Sequence, residues 1–375
     1  MSQQSNSILV IGGGIVGAMV TYALGQSGRQ VTLLDKQNPA QGSTGAALGV
    51  LMGAISRKTK GRAWAMRQQS LGRYDTLISE LQRQTGHTID YNRDGIVKLL
   101  FEGDNGDRWR SLAQARQAQG WQLDIWDRET LRDRCPSVTR ASSPFGPVVG
   151  AVHSPGDRQI HPQQLTLALL EAARRQGAQT DFGAEVRSVG EQGGRGYAML
   201  TTGERHEADW IVLTAGMGTS ALAASEAIDI RPVLGQALEV VLEFPLEPGH
   251  FRPVVTGNDI HVVPLATPDG RSGARYWIGA TVEFPPDGEA TIAAAVEAER
   301  HTLWERAIAL HPVLASATIS KTWWGKRPRP FNRPAPIIEQ LPGYDRVIVA
   351  SGHYRNGVLL APATAQAVVD MIQSG

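Results

Sequence analysis

The stretch ILVIGGGIVG at residues 8–17 joins a short apolar run to a glycine-rich turn. The run ILVI is typical of a buried parallel strand, and the glycines that follow have the spacing G-x-G-x-x-G. In such a turn Gly12 permits the tight bend, Gly14 lets the backbone approach a pyrophosphate, and Gly17 lets the next helix pack against the strand. That helix begins near Ile15, where free N–H groups and the helix dipole favour a phosphate. The stretch therefore predicts a dinucleotide-binding turn.

The next predicted strand, QVTLLD at residues 30–35, ends in an acidic residue. Asp35 follows Gly17 at close to the spacing of about 20 residues that is typical of dinucleotide-binding βαβ units. Its carboxylate can accept hydrogen bonds from an adenosine ribose. The alternative is a glycine-rich turn that binds nothing, but strand, helix and acid in this order favour a cofactor site. The pattern alone does not separate NAD from FAD.

The composition excludes several classes of protein. The chain has 375 residues, enough for two or three domains at about 150 residues each. Lys and Arg total 37 against 36 for Asp and Glu, so the basic footprint of a nucleic-acid binder is missing. Cys135 is the only cysteine, which excludes an internal disulfide and a thiolate zinc site. We therefore predict no metal site and a cytoplasmic protein. No apolar run reaches the roughly 18 residues of a membrane span.

Strand patterns change along the chain in a way that predicts two domains, each built from separate segments. Residues 1–88, 150–226 and 336–375 carry the βαβ unit and other buried strands, and we expect them to form a Rossmann-type cofactor domain. Residues 89–149 and 227–335 carry alternating or β-rich runs. We expect them to form a smaller α+β substrate domain with an antiparallel sheet. The predicted fold class is α/β.

Two longer segments resemble motifs of a known family. The segment GSTGAALGVL at residues 42–51 resembles the loop beneath the flavin in the glycine oxidase / D-amino-acid oxidase family of FAD-dependent oxidoreductases. Small side chains suit a backbone that lies against a flat ring. The segment GHYRNGVLLAP at residues 352–362 is the most specific match and is closest to the glycine oxidase branch. Weaker similarities to the family occur at residues 157–162, 184–186, 214–216, 279–283 and 323–328.

The resemblance implies that the cofactor is FAD. Some relatives bind flavin covalently through a cysteine near the position of Trp323, and the absence of a cysteine there implies non-covalent binding. The glycine-rich turn and the resemblance together give a set of candidate FAD-binding residues. They are Gly12, Gly14, Ile15, Val16, Gly17, Asp35, Lys36, Ser43, Thr44, Ala46, Ala47, Gly49, Val50, Leu51, Val186, Thr214, Ala215, Gly216, Gly352, Arg355, Asn356, Gly357, Val358 and Leu359.

The turn before the last predicted helix offers backbone donors. N–H groups near Gly357, Val358 and Leu359 begin that helix, and they would stabilise negative charge on the pyrimidine edge of reduced flavin. The alternative is an ordinary helix start.

Three residues are candidates for substrate binding and catalysis. Arg327 stands in WWGKRP, where it resembles the family's carboxylate-binding arginine, and a guanidinium can bind a carboxylate through two hydrogen bonds. Arg355 is the second candidate. His261 stands where the family usually has a tyrosine. It could donate a similar hydrogen bond or act as a base on the substrate ammonium. The alternatives are a structural or solvated Arg327 and a strand histidine that faces away.

The resemblance implies oxidation of the amine of a small amino acid, such as glycine, sarcosine or a D-amino acid, by hydride transfer to flavin N5. The product imine would be hydrolysed to a 2-oxo acid, with oxygen or another acceptor reoxidising the flavin. Two alternatives stay open: a dehydrogenase that uses a quinone or carrier protein, and a non-catalytic flavin-binding assembly protein or scaffold. A homo-oligomer is compatible with the sequence, but no interface signature indicates one. The basic run from Arg57 to Arg62 could be a loop over the active site, a docking surface or a solvated loop.

Overall fold

The computed structural model describes residues 7–138, 145–243, 251–266, 273–286, 289, 292 and 294–375. Within these ranges the helices, in chain order, are α1 (Ile15–Gln26), α2 (Gly61–Thr85), α3 (Gly106–Ala118), α4 (Arg128–Arg134), α5 (Pro162–Arg175), α6 (Thr219–Ala223), α7 (Glu297–Leu310) and α8 (Gly357–Ser374). The strands are β1 (Ser7–Ile11), β2 (Gln30–Asp35), β3 (Val50–Leu51), β4 (Tyr91–Asn92), β5 (Ile96–Phe101), β6 (Asp124–Asp127), β7 (Val148–Ser154), β8 (Arg158–Ile160), β9 (Gln179–Phe182), β10 (Val186–Gln192), β11 (Arg195–Leu200), β12 (Arg205–Ala208), β13 (Trp210–Leu213), β14 (Ile230–Val241), β15 (Val254–Gly257), β16 (Ile260–Pro264), β17 (Arg275–Gly279), β18 (Thr318–Pro330), β19 (Ile337–Gln340) and β20 (Val347–Ser351).

A six-stranded sheet with the order β19-β20-β13-β1-β2-β9 forms the first half of the architecture. Its strands are parallel except for β19, which pairs antiparallel with β20. Alternate residues of β1 face opposite layers. Ile8 and Val10 pack with helices α1, α2, α5 and α8, whereas Leu9 and Ile11 pack toward the three-stranded sheet β10-β11-β12. This arrangement confirms the predicted Rossmann-type α/β fold.

In the turn from β1 into α1, the backbone packs tightly against the residue that follows β13. Gly12 has a φ of 116°, and a Cβ there would lie 2.6 Å from the carbonyl oxygen of Thr214, the residue directly after β13. A Cβ on Gly17 would lie 1.8 Å from the Gly12 carbonyl oxygen and 2.6 Å from Thr214 Oγ1. Only glycine lets the helix lie this close to the two strands. Gly17 thus has the packing role that its place in the motif predicts.

A second, eight-stranded sheet has the order β18-β14-β17-β16-β15-β5-β7-β6. All of its pairs are antiparallel except β15 with β5. Its core includes apolar residues of α4 and α7, among them Leu131 and Leu303. The predicted antiparallel sheet is therefore present. Strand β7 belongs to this sheet and spans Val148–Ser154, so the expected boundary at residue 150 lies inside a strand. The division into two domains itself stays a prediction.

The two sheets meet where strand β18 contacts the loop after β2. Ser43 Oγ donates to the Lys326 carbonyl oxygen at 2.6 Å, and Trp323 Nε1 donates to the Ala46 carbonyl oxygen at 3.2 Å. Between these bonds Gly325 lies so close to the loop that a Cβ there would be 2.3 Å from the Cβ of Ala46. These contacts fix the position of β18 relative to the six-stranded sheet. In the part of the chain described above, no helix is long and apolar enough to cross a membrane.

The substitution Gly17→Ala tests the packing of the glycine-rich turn. The new methyl group would meet backbone atoms that cannot rotate away, so we expect a loss of about 1–3 kcal/mol or more in the free energy of unfolding. Gly25→Ala in the same helix is the matched control, because its Cβ would meet only the movable end of the Gln176 side chain. Chemical denaturation of both variants measures the difference. Equal midpoints for the two variants would contradict this account of the turn.

Candidate active site

A cavity of about 1300 Å³ lies at the carboxyl ends of the parallel strands and extends to the eight-stranded sheet. The strand-end residues Ile11, Asp35, Thr214 and Ser351 line it, as do residues of β16 and β18. Ligands of open α/β sheets bind at this edge. The volume exceeds the roughly 300–1000 Å³ usual for a single small ligand. The cavity therefore has room for a dinucleotide and a second small molecule.

One end of the cavity, around Asp35 and Val186, has the polar and apolar groups that a ribose and an adenine require. The Asp35 carboxylate accepts hydrogen bonds from the backbone N–H of Gly13 and, at 2.8 Å, from that of Gln37. A carboxylate has about four acceptor positions, so two such bonds leave capacity for ribose hydroxyls. Val186 lines the same cavity, and Lys36 lies 3.5 Å from Glu185 in an exposed ion pair.

The N-terminus of α1 provides the place for a pyrophosphate. Gly14 is its N-cap and supplies no capping side chain, while the N–H of Ile15 donates to Thr44 Oγ1 at 3.0 Å. A Cβ on Gly14 would lie 3.1 Å from that hydroxyl oxygen. The Thr44 hydroxyl thus occupies one donor of the first turn, while the absence of a side chain at Gly14 leaves the backbone there open to the diphosphate of a dinucleotide.

The N-terminus of α8 supplies a second set of donors. Gly357, Val358 and Leu359 line the cavity, and no side chain caps this helix. The turn that leads into it is held in place because Tyr354 N donates to the Pro328 carbonyl oxygen at 2.8 Å. Tyr74 also donates to the Val358 carbonyl oxygen. The open helix start thus fits the electron-rich edge of a flavin ring.

Nearly all the candidate FAD-binding residues line this one cavity. The exceptions are Gly17, which packs α1 on the strands, and Leu51, which has no exposed surface and lies in the helix-side core. Gly17 and Leu51 thus pack in the interior and do not line the cavity. For the others, contact with FAD stays a prediction. The described residues contain no cluster of three or more His, Cys, Asp and Glu side chains that could hold a metal ion.

Arg327 lies half-buried on β18, with its guanidinium in the cavity wall. Its Nη1 donates to the carbonyl oxygens of Leu234 and Thr281 at 3.1 and 3.0 Å. The guanidinium rests on Gly235, where a Cβ would lie only 2.2 Å from Nη2. Burial lowers the pKa of Arg327 to about 10, with a further contribution from the positive charge of Arg355. It is still cationic near neutral pH and keeps donors for a carboxylate.

His261 and Arg355 line the cavity together with Arg327. Burial, with a smaller contribution from the positive charge of Arg355, lowers the pKa of His261 to about 3. Its imidazole is therefore neutral near pH 7, and Nδ1 is buried with no hydrogen-bond partner among the described residues. Arg355 is more exposed and lies 3.3 Å from the carboxylate of Asp259. Both residues line the cavity, and their roles stay predictions.

Some cavity residues were not anticipated from the sequence. Met52, Ser56, Arg57, Arg67 and Asp259 line the cavity. No local motif marks Arg67, because it lies on α2 within an ordinary helical pattern. Arg57 belongs to the basic run at residues 57–62, for which a loop over the active site is one of the three interpretations given above. Only the folded arrangement brings these residues to the site.

The backbone of the basic run is anchored. The buried Arg116 donates to the carbonyl oxygens of Ser56 and Lys58 at 2.7 and 2.8 Å, and its guanidinium lies 3.5 Å from the ring centroid of Trp64. The Asp157 carboxylate accepts hydrogen bonds from the backbone N–H groups of residues 53–55 at 2.7–2.8 Å. The backbone is thereby held on both sides of Arg57, at residues 53–56 and at Lys58. The side chain of Arg57 reaches the cavity from this fixed loop.

Comparison with known proteins identifies relatives along nearly the whole chain. The profile of a family described as DAO, FAD dependent oxidoreductase, matches residues 7–371. The chain is 31% identical to the bifunctional protein ThiO/ThiG of Synechocystis sp. over 99% of its length, but spans only 52% of that protein. It is 27% identical to the glycine oxidase of Geobacillus kaustophilus, covering 98% of this chain and 92% of that one. The crystal structure of glycine oxidase from Geobacillus kaustophilus has a TM-score of 0.85 at 25% identity, with 99% and 95% of the two chains covered.

Replacement of Asp35 tests the ribose end of the cavity. Asp35→Asn removes the negative charge, and a hydrogen bond to a charged acceptor contributes about 1.5–3 kcal/mol, so we expect an FAD dissociation constant at least about tenfold higher. Asp181→Asn is the control, because Asp181 is exposed on the neighbouring strand β9 and does not line the cavity. Quenching of FAD fluorescence by the apoprotein measures both constants. Unchanged affinity in Asp35→Asn would exclude the assigned role.

Proposed function

The chain belongs to the DAO family of FAD-dependent oxidoreductases, and from this we propose that it oxidises the amine of a small amino acid. The α-carbon and the amine lose two electrons and two protons in total to give an imine. Water then hydrolyses the imine to a 2-oxo acid and releases ammonia or the free amine. The observation that carries this proposal is the half-buried Arg327, whose guanidinium faces the cavity with donors to spare.

Bound FAD supplies the acceptor for the hydride that leaves the α-carbon. The chain's own part is to position the substrate. We propose that Arg327 binds the substrate carboxylate through two hydrogen bonds, which fixes the α-carbon with respect to the ring. The carbonyl oxygens of Leu234 and Thr281 hold the guanidinium in the required orientation. We further propose that the open N-terminus of α8 stabilises negative charge that develops on the cofactor.

We propose that His261 acts as a hydrogen-bond partner and not as a proton acceptor. With a pKa of about 3, the imidazole is too weak a base to accept a proton from the substrate ammonium group near neutral pH. The neutral imidazole lines the cavity and can instead donate or accept one hydrogen bond with a polar group of the substrate. The substrate is then the species that must lose its proton before oxidation, to water or to the bulk solvent.

Anaerobic mixing with amines tests the proposed reaction directly. Glycine, sarcosine and D-amino acids should bleach the visible band of the flavin, and one of them should give the highest rate. A flavin that stays oxidised with the whole series would overturn the proposal. If an amine does reduce the flavin, hydrogen peroxide production in air would identify oxygen as the electron acceptor. Flavin reduction without peroxide production would identify a dehydrogenase.

The substitution Arg327→Ala tests carboxylate binding. Two charge-assisted hydrogen bonds contribute about 1.5–3 kcal/mol each, so kcat/KM should fall by about 100-fold or more while FAD stays bound. Arg329→Ala on the same strand is the control, because Arg329 is exposed and does not line the cavity. If both variants keep full activity, Arg327 does not bind the substrate.

The substitution Gly235→Ala tests the support beneath Arg327. A methyl group at this position would occupy the space of the guanidinium, which would have to move. We expect KM to rise by about tenfold or more, as for a displaced charge-assisted hydrogen bond, with an unchanged flavin spectrum. Gly72→Ala is the control, because a Cβ there meets nothing within 4 Å. An unchanged KM in Gly235→Ala would contradict the proposed positioning.

The pH profile tests the proposed role of His261. Since its pKa lies near 3, His261 should add no ionisation between about pH 5 and 8. His261→Asn keeps a hydrogen-bonding side chain, so it should lower kcat/KM without changing the shape of its pH dependence. Loss of an inflection near pH 6–7 in the variant would instead identify the imidazole as a proton acceptor.

A further inference from the structure

The cavity carries more positive charge than one substrate carboxylate requires. Arg187 lines it beside Glu185 at the ribose end, and besides Arg327 and Arg355 the guanidinium-bearing side chains of Arg57 and Arg67 also line it. Apart from Asp35 and Glu185 at the ribose end, Asp259 is the one carboxylate among the described lining residues. Asp259 already pairs with Arg355. The charges of Arg57, Arg67 and Arg327 therefore have no matching carboxylate in the cavity wall.

Arg67 is the strongest indication of a missing anion. The residue is only 9% exposed, and its Nε is buried without a hydrogen-bond partner. Its one hydrogen bond to the described residues runs from Nη1 to the Ala63 carbonyl oxygen at 2.7 Å. No described carboxylate lies within ion-pair distance of it. A buried guanidinium with so few partners is costly unless an anion binds to it.

The nearest buried carboxylate is not available to Arg67. Asp157 is fully buried, but its oxygens accept the three backbone N–H groups of the loop at residues 53–55. Its negative charge raises the pKa of Arg67, although burial has the larger, opposite effect. Asp157 thus stabilises the arginine from a distance and leaves its donors free.

Arg57 approaches the cavity from the anchored loop. Its guanidinium lies 5.6 Å from the ring centroid of Trp109, and the ammonium of Lys98 lies 6.0 Å from the same ring. Burial lowers the pKa of Lys98, the carboxylates of Asp104 and Asp259 oppose this shift, and the positive charge of Arg57 adds a small contribution to it. Two cations beside one indole, with the loop backbone fixed by Arg116, extend the positive region toward Asp259 and His261.

We propose that the substrate of this protein carries a second acidic group, a carboxylate or phosphonate, which Arg57 and Arg67 bind while Arg327 binds the α-carboxylate. The proposal rests on the amine oxidation put forward above and specifies its substrate class. An acidic D-amino acid or an N-carboxymethyl amine has the required chemistry. A monocarboxylate such as glycine would leave the two guanidinium groups without an anion, and it should therefore be the poorer substrate.

Matched pairs of compounds test the proposal on the FAD-loaded protein. D-Aspartate is compared with D-alanine, and iminodiacetate with sarcosine, because each pair differs by one carboxylate. Flavin reduction under anaerobic conditions gives kcat/KM for each compound. Acetate and malonate are titrated as non-reacting ligands, and the change in the visible flavin spectrum gives their dissociation constants. This second measurement does not depend on turnover.

Three variants assign the preference to particular residues. Arg57→Met and Arg67→Met remove the two proposed ligands, and Lys60→Met removes a charge from the same loop at a position outside the cavity. In the wild type each diacid should exceed its monoacid partner by about tenfold or more, and malonate should bind at least tenfold more tightly than acetate. Both ratios should fall by about tenfold in the arginine variants and stay unchanged in Lys60→Met. If Arg67→Met does not fold, Arg57→Met alone decides the test, because Arg57 is exposed and its replacement leaves the core unchanged.

The other outcomes separate this proposal from the one it rests on. Equal reduction by diacids and monoacids, with equal binding of acetate and malonate, would overturn the second acid site and leave amine oxidation intact. A strong preference for malonate that depends on Arg57, with no reduction by any amine, would support the anion site and overturn amine oxidation. Weaker FAD binding in Arg67→Met with an unchanged malonate preference would assign Arg67 to the cofactor and overturn its role here.

Discussion

The contact between Gly325 and Ala46 is the constraint on which the site depends. The absence of a side chain at Gly325 lets strand β18 touch the loop after β2, and Ser43 and Trp323 secure the contact by hydrogen bonds. The loop lies on the six-stranded sheet, and the strand carries Arg327 two residues further on. One backbone contact therefore sets the distance between the cofactor end and the substrate end of the cavity.

Charge is distributed unevenly along this cavity. Asp35 and Glu185 lie at the end suited to a ribose, and helix N-termini with open N–H groups face its middle. Arginines dominate the far end. Such a distribution attracts anionic ligands to the arginines before any specific contact forms. His261 lies among these cations and stays neutral, because burial and the neighbouring positive charges make its protonation unfavourable.

Local sequence patterns predicted the parts of the molecule that depend on local chemistry. The glycine spacing, the apolar strand and the acid at residue 35 identified the βαβ unit, and β1, α1 and β2 form where expected. The antiparallel sheet followed from alternating residues. The sequence did not predict that Arg67 and Asp259 line the cavity, because distant segments of the chain must first come together there. Leu51 lies outside the cavity for a similar reason, since its burial in the helix-side core is decided by α2, α5 and α8.

Strand β18 lies at the edge of the eight-stranded sheet, where an unpaired backbone could recruit the edge of another molecule. The residues that build the site also oppose such association. Pro328 and Pro330 lack N–H donors, Lys321 is an exposed charge, and Ser43 already occupies the carbonyl oxygen of Lys326. Strand β18 thus carries its own protection against aggregation, and mutations that enlarge the cavity along this edge would weaken that protection.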